Sequence, residues 1–201
     1  MPDADERLDP APSVRTTRHE RGLDESTRPH VARVAGAKSA PGGEASAQML
    51  VGVHNHLRSE LEQLRGVVAD VVAGHTSPAL ARSLINRMSM RQNYWSLGAF
   101  CAAYCRVLTI HHAIEDSRMF VDLRARDESL GPVIERLSEE HEVIAGVLTS
   151  LDQALVAMVD DPERLDLVRS EVERLGDALL SHLDYEEAEL LDPIRRLGIE
   201  I

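Results

Sequence analysis

The chain has 201 residues, of which 43% are hydrophobic and only 3% aromatic, and its 34 acidic and 22 basic side chains give a formal net charge of −12. This length suits one domain of ordinary size with a tail, and the acidic balance makes nucleic acids and anionic membranes poor partners. We find neither the apolar run of a membrane-spanning helix nor the basic start of a secretory signal, so the cytoplasm is the expected location.

The first part of the chain, residues 1–46, is predicted to be a disordered N-terminal arm. It is rich in proline and in charged and small polar residues, and its apolar residues follow no period. A segment of this composition does not bury enough apolar surface to fold alone. His19 and His30 are therefore expected to be solvated, and residues 47–201 are left as the folded domain.

Four segments of the domain have apolar residues at steps of three and four, which predicts amphipathic helices. The predicted helices span Gln48 to about Gly74, about Tyr94 to Arg124, Gly131 to Asp161, and Leu165 to just before Pro193. A further short helix is expected between Pro78 and Met90. Long helices with short connections predict an all-α fold, an antiparallel up-down-up-down four-helix bundle.

Each apolar stripe contains one histidine, in chain order His54, His111, His141 and His182. Glu115 follows the second and Glu186 the fourth at a distance of four residues, and residues four apart project from the same face of a helix. His56 is expected to point away from the core, because two residues turn an α-helix by roughly 200°.

These side chains have the chemistry of metal ligands. Imidazole nitrogen with carboxylate oxygen, and no thiolate, suits iron, manganese or zinc. A single histidine on an apolar stripe is usually a hydrogen-bonded core residue, but four at matching positions would be costly to bury without a shared purpose. Cys101 and Cys105 are expected to be reduced, buried thiols. The predicted metal ligands are His54, His111, Glu115, His141, His182 and Glu186.

This pattern resembles the hemerythrin-like, or HHE cation-binding, proteins over roughly residues 48–197. The resemblance implies a hemerythrin-like four-helix bundle that holds two non-haem iron ions with an oxo or hydroxo bridge. It implies that the four histidines are terminal ligands and that Glu115 and Glu186 bridge the two metals.

The chain departs from the oxygen-carrying members of the family at two positions. The carriers have His-x-x-x-His on the third helix, where this chain has Ala145 at the second position, and an aspartate where it has Glu187. One nitrogen ligand is then missing, and an oxygen from water or from Tyr104 would fill its place. This vacancy argues against reversible oxygen carriage.

The flanking polar residues leave two interpretations open. His112 and Asp116 lie roughly 100° round the helix from His111 and Glu115, and they either orient the ligands or form a salt-bridged flank. The acidic pairs at 139 and 140 and at 187 and 189 are expected to face solvent.

The predicted function is to bind or react with oxygen, nitric oxide or peroxide, in sensing or detoxification. Two alternatives remain: a di-iron redox enzyme that activates oxygen on an organic substrate, and an iron store. Both an enzyme and a binding protein fit the sequence.

Overall fold

The structure is a computed structural model that describes residues 22–32, 34, 36, 38–75, 102–161 and 164–201. Several predicted features lie outside these residues. They are the first 21 residues of the arm, the short helix between Pro78 and Met90, the start of the second helix, Cys101, and the side chains of Tyr104 and Cys105.

The described residues are arranged as an all-helical bundle. Its elements are α1 (Gly43–Val72), α2 (Ala102–Ile114), a π-helical segment (Glu115–Met119), α3 (Phe120–Arg126), α4 (Gly131–Asp160) and α5 (Leu165–Leu197). The π-helical segment joins α2 to α3 without a break, so the described part of the chain contains four long helices, as the periodicity predicts. None of its helices combines the length and apolarity needed to cross a membrane.

The helix ends follow local sequence signals. Gly74, just after α1, has φ 72°, a left-handed conformation that glycine adopts without strain. Asp127 and Asp161 end α3 and α4 with extended backbone at φ −149° and −143°. Pro132 occupies the first turn of α4, where its missing N–H removes no helical hydrogen bond.

Pro193 departs from the prediction because it lies inside α5 rather than after it. The helix continues to Leu197, and Gly198 ends it with φ 64° and a hydrogen bond from its N–H to the Ile194 carbonyl. Proline removes one hydrogen bond from a helix. Burial of Leu190 and Ile194 on either side of Pro193 offsets this loss.

The N-terminal segment, defined here as Asp24–Val31, lies against α4 and α5. The Tyr185 hydroxyl donates to the Pro29 carbonyl at 2.7 Å, and the Val31 N–H donates to Glu189 Oε2 at 2.6 Å. The structure differs here from the expectation of a disordered arm. That expectation considered apolar burial alone, whereas polar contacts and ion pairs hold this segment.

The buried apolar side chains form two clusters, separated along the bundle. The first includes Leu57, Leu61, Leu108, Ile144, Leu151 and Leu179. The second includes Leu50, Phe120, Leu123, Leu137, Leu190 and Ile194. On α1, α2 to α3, and α4, the stretches that enter the two clusters are separated by buried polar residues, namely His54, His112 with Glu115, and Glu140 with His141. On α5, His182 and Glu186 lie where the two stretches meet. A polar layer therefore crosses the middle of the bundle.

The ion pairs between α1 and α5 show how these helices are aligned. They join Glu44 to Arg195 at 2.8 Å, Arg58 to Asp184 at 2.7 Å and Arg65 to Asp177 at 3.9 Å. The start of α1 thus lies beside the end of α5, which brings His54 next to the middle of α5.

Candidate metal centre

The polar layer contains all six ligands that the sequence predicts. Glu115 lies between two histidines, with Oε1 3.1 Å from His111 Nε2 and Oε2 3.5 Å from His141 Nε2. Glu186 lies between the other two histidines, with Oε2 3.4 Å from His54 Nε2 and 3.8 Å from His182 Nε2. His56 lies outside, with 63% of its side chain exposed and Nε2 3.4 Å from Glu60, in agreement with the predicted helix register.

The donor atoms fall into two groups, each with its atoms within 4.8 Å of one another. One group consists of His54, His111, Glu115 and Glu186, and the other of His112, His141 and His182. Ligand atoms about 2.0–2.2 Å from a shared ion lie within this separation. The two carboxylates also approach histidines of the second group, Glu115 near His141 and Glu186 near His182. Each group therefore has the donor atoms to hold a cation.

His112 is the site residue that the sequence interpretation placed outside the ligand set. It is buried, and its ring stacks on His141 with centroids 4.0 Å apart and an interplanar angle of 9°. A helix in a bundle buries a stripe more than about 100° wide, so two adjacent residues can flank its centre. In the sequence, the adjacency of His111 and His112 was the feature that could have indicated a role for both in the site. Ala145, where the carriers have their additional histidine, is exposed.

The π-helical segment begins at Glu115, and the Phe120 N–H bonds to the Glu115 carbonyl. Such segments insert one extra residue into a helix and are frequent at functional sites. Both Met119 and Phe120 are buried here. The Phe120 ring stacks on His141 with centroids 5.6 Å apart, so this histidine is packed against aromatic rings of the second helix.

Three of the histidines have a carboxylate behind them. The distances are 2.9 Å from His54 Nδ1 to Glu187 Oε1, 3.0 Å from His141 Nδ1 to Asp116 Oδ2, and 3.2 Å from His182 Nδ1 to Glu140 Oε2. An ionised carboxylate only accepts, so each Nδ1–H donates and each Nε2 lone pair points into the layer. Carboxylates of this kind orient metal-binding imidazoles.

These contacts decide between the interpretations of the flanking acids. Asp116 orients a histidine, one of its two predicted roles. Glu140 and Glu189 are buried rather than solvated, and Glu187 is partly buried with an ion pair to Arg58 at 2.7 Å. The apolar pattern of a single helix does not reveal polar partners supplied by other elements.

Burial determines the charge states of the layer. It lowers the pKa of His54 and His111 to about 3 and lowers the pKa of His112 and His182 well below its usual range. These imidazoles are therefore neutral near pH 7, with a lone pair free for a metal. Burial also raises the pKa of Glu115, to which the charge of Glu186 adds.

Hydrogen bonding provides a test of whether these residues fit a metal. Nε2 of His54, His111 and His112 and both carboxylate oxygens of Glu115 and Glu186 are buried and have no hydrogen-bond partner among the described residues. His141 Nε2 and His182 Nε2 face each other at 3.2 Å, although both are acceptors. Each unsatisfied buried group costs about 1–3 kcal/mol. A cation within each donor group would satisfy these atoms together, so the residues fit a metal centre.

One of three comparisons with known proteins identifies the family of the chain. No curated protein and no solved structure matches the chain. The family model described as the hemerythrin HHE cation binding domain matches residues 45–193, which include both donor groups. The match covers more than half of the chain and confirms the resemblance noted in the sequence. The chain therefore belongs to the hemerythrin HHE cation-binding domain family.

Proposed function

We propose that the polar layer holds two iron ions inside an antiparallel up-down-up-down bundle. Five histidines and two carboxylates would hold the ions: His54, His111, His112, His141, His182, Glu115 and Glu186. One observation carries this proposal, the set of buried nitrogen and oxygen atoms without hydrogen-bond partners among the described residues. His112 supplies the nitrogen that the sequence interpretation found missing, so Tyr104 is not needed as a ligand.

The donor set favours iron over softer metals. Imidazoles and carboxylates together suit an ion that changes between the ferrous and ferric states, and the family description specifies a cation. Five neutral imidazoles and two carboxylates offset only part of the charge of two such ions. Burial of the layer restricts its access to water.

We further propose that the protein binds or reacts with oxygen, nitric oxide or peroxide, as a cytoplasmic sensor or detoxifying protein. Ferrous iron held by these residues would supply the electrons for such reactions. The surrounding residues restrict what reaches the layer. Leu57, Leu108, Ile144 and Leu179 are fully buried, and this apolar wall admits small, weakly polar molecules more readily than large polar ones.

The metal content tests the first part of this proposal. Protein reconstituted with ferrous iron under nitrogen is expected to retain about two irons per chain. Glu186→Ala should retain less than half of that, because Glu186 approaches a histidine of each donor group, His54 and His182. Elemental analysis with circular dichroism measures loading and folding together. One zinc and no iron in protein isolated from cells would instead indicate a structural site.

Mixing experiments test the second part. The optical spectrum of the reduced, iron-loaded protein is expected to change within seconds of mixing with oxygen, nitric oxide or hydrogen peroxide in a stopped-flow instrument. Apoprotein is the control, because it shares every feature except the metal. An iron-loaded protein whose spectrum responds to none of the three would contradict the proposed function while leaving the metal centre intact.

A further inference from the structure

Glu140, the carboxylate behind His182, is in contact with the N-terminal segment. Its Oε1 accepts from Arg28 Nε at 2.9 Å and from Arg136 Nε at 3.0 Å. Its Oε2 accepts from Arg28 Nη2 at 3.0 Å and from His182 Nδ1 at 3.2 Å. Arg28 thus binds both oxygens, in the two-point geometry that gives guanidinium pairs their strength and direction.

The segment is seated firmly enough to hold this arginine in place. The Arg28 guanidinium lies over the Tyr185 ring, 4.6 Å from its centroid, a cation–π contact. Beyond Arg28, the Pro29 carbonyl accepts from Tyr185, and both His30 Nδ1 and the Val31 N–H bond to Glu189, at 2.7 and 2.6 Å. Tyr185 and Glu189 lie one turn on from His182 and Glu186 along α5.

The other two supporting carboxylates have a different environment. Glu187 is 21% exposed at its side chain and pairs with Arg58 of α1, and Asp116 is 39% exposed and accepts from Ser138 of α4 at 2.6 Å. The Glu140 side chain is only 2% exposed. A carboxylate this deeply buried depends on its cations, because burying an unpaired charge is strongly unfavourable.

We propose that the N-terminal segment is a part of the metal centre, in which Arg28 is a positioning residue that holds Glu140 and, through it, the ring of His182. This inference rests on the proposed metal centre. The proposal implies that docking of the segment and binding of metal affect each other equally. If docking of the segment strengthens metal binding by some factor, metal binding must strengthen docking by the same factor.

The substitution Arg28→Met removes the two-point contact and keeps an unbranched apolar side chain over Tyr185. We expect the weaker of the two metal-binding steps to lose about 10- to 100-fold in affinity, the usual effect of losing a group that orients a ligand. The reduction potential of the iron-loaded protein should fall, since a nearby positive charge is lost. Arg28→Lys keeps that charge and should restore the potential more fully than the affinity.

A matched control is Arg196→Met, which breaks the ion pair of another largely buried arginine with Asp127. Among the described residues, Arg196 contacts neither a ligand histidine nor a carboxylate that orients one. It should titrate with ferrous iron as wild type does. In the unsubstituted full-length chain, hydrogen exchange of the Val31 amide should be about 10-fold slower or more with metal than without, because this N–H bonds to Glu189 only while the segment is docked.

The outcomes separate the two proposals. If the wild type takes up no metal, both are wrong. If the wild type binds two ions and folded Arg28→Met and Arg28→Lys match it in affinity and potential, the metal centre stands and the positioning role is overturned. Equal Val31 exchange with and without metal overturns the coupling of the segment to the centre even if the methionine variant does not fold.

Discussion

Replacing His112 with alanine is expected to weaken the second metal-binding step by more than the roughly 10- to 100-fold that changes behind a ligand produce. The substitution leaves only His141 and His182 in their donor group and removes the ring that stacks on His141. The measurement is an anaerobic titration with ferrous iron followed by calorimetry, with helicity checked by circular dichroism.

Two matched variants sharpen this test. His56→Ala removes an exposed histidine of α1 and should bind metal as wild type does. Combining His112→Ala with Ala145→His should not restore binding, because position 145 is exposed on α4. Unchanged metal binding in His112→Ala would support the interpretation based on the sequence alone, with an oxygen ligand at the vacant position.

Metal-free protein is expected to lose stability as the pH rises from about 7.2 to 8. Burial raises the pKa of Glu186 from its usual 4.5 to about 8, so in this window the folded state holds a proton that the unfolded state has released. The free energy of unfolding then falls by up to about 1.4 kcal/mol per pH unit for each such carboxyl group, and by less as the pH approaches the folded pKa. The buried histidines oppose this loss near pH 6.5. The folded pKa of His54 and His111 is about 3 against the usual 6.5, so protons that these residues take up in the unfolded chain destabilise the fold at pH 6.5 and have mostly been released by pH 7.2.

Urea unfolding at pH 6.5, 7.2 and 8, with a chelator or with bound metal, measures this effect. Metal-loaded protein should lack the decline, because metal-bound carboxylates are ionised. Glu186→Gln should show a shallower decline without metal, since the amide does not titrate. The histidines contribute equally in both proteins, so an identical pH dependence in metal-free Glu186→Gln and wild type would show that Glu186 does not keep its proton in the folded state.

Sequence periodicity predicted the features that are local to one helix. His54 faces the core and His56 faces solvent because side chains two residues apart point to nearly opposite sides of an α-helix. The helix ends at Gly74 and Asp161 follow from the backbone conformations of those single residues. The matching positions of the histidines on the four apolar stripes likewise predicted that the six residues lie at one level of the bundle. In the structure these six residues do lie together in the polar layer.

Features that depend on contacts between elements were not predictable in this way. His112 enters the layer because its ring stacks on His141 of α4, and Glu140 is paired where it is buried because Arg28 reaches it from a distant part of the chain. Pro193 stays helical because its neighbours are buried. In each case a favourable tertiary contact outweighs the preference that the local sequence expresses.

The polar layer also has a consequence for the alignment of the helices along the bundle axis. A slip of one turn, about 5.4 Å, exchanges one leucine for another within the apolar clusters and changes little there. In the layer, the same slip of α1 against α5 would bring His54 opposite Leu183 or Leu190 and bury Glu186 against leucine. A buried polar residue fixes the register of a coiled coil for the same reason. The ligand residues thus give otherwise interchangeable leucine stripes a single alignment.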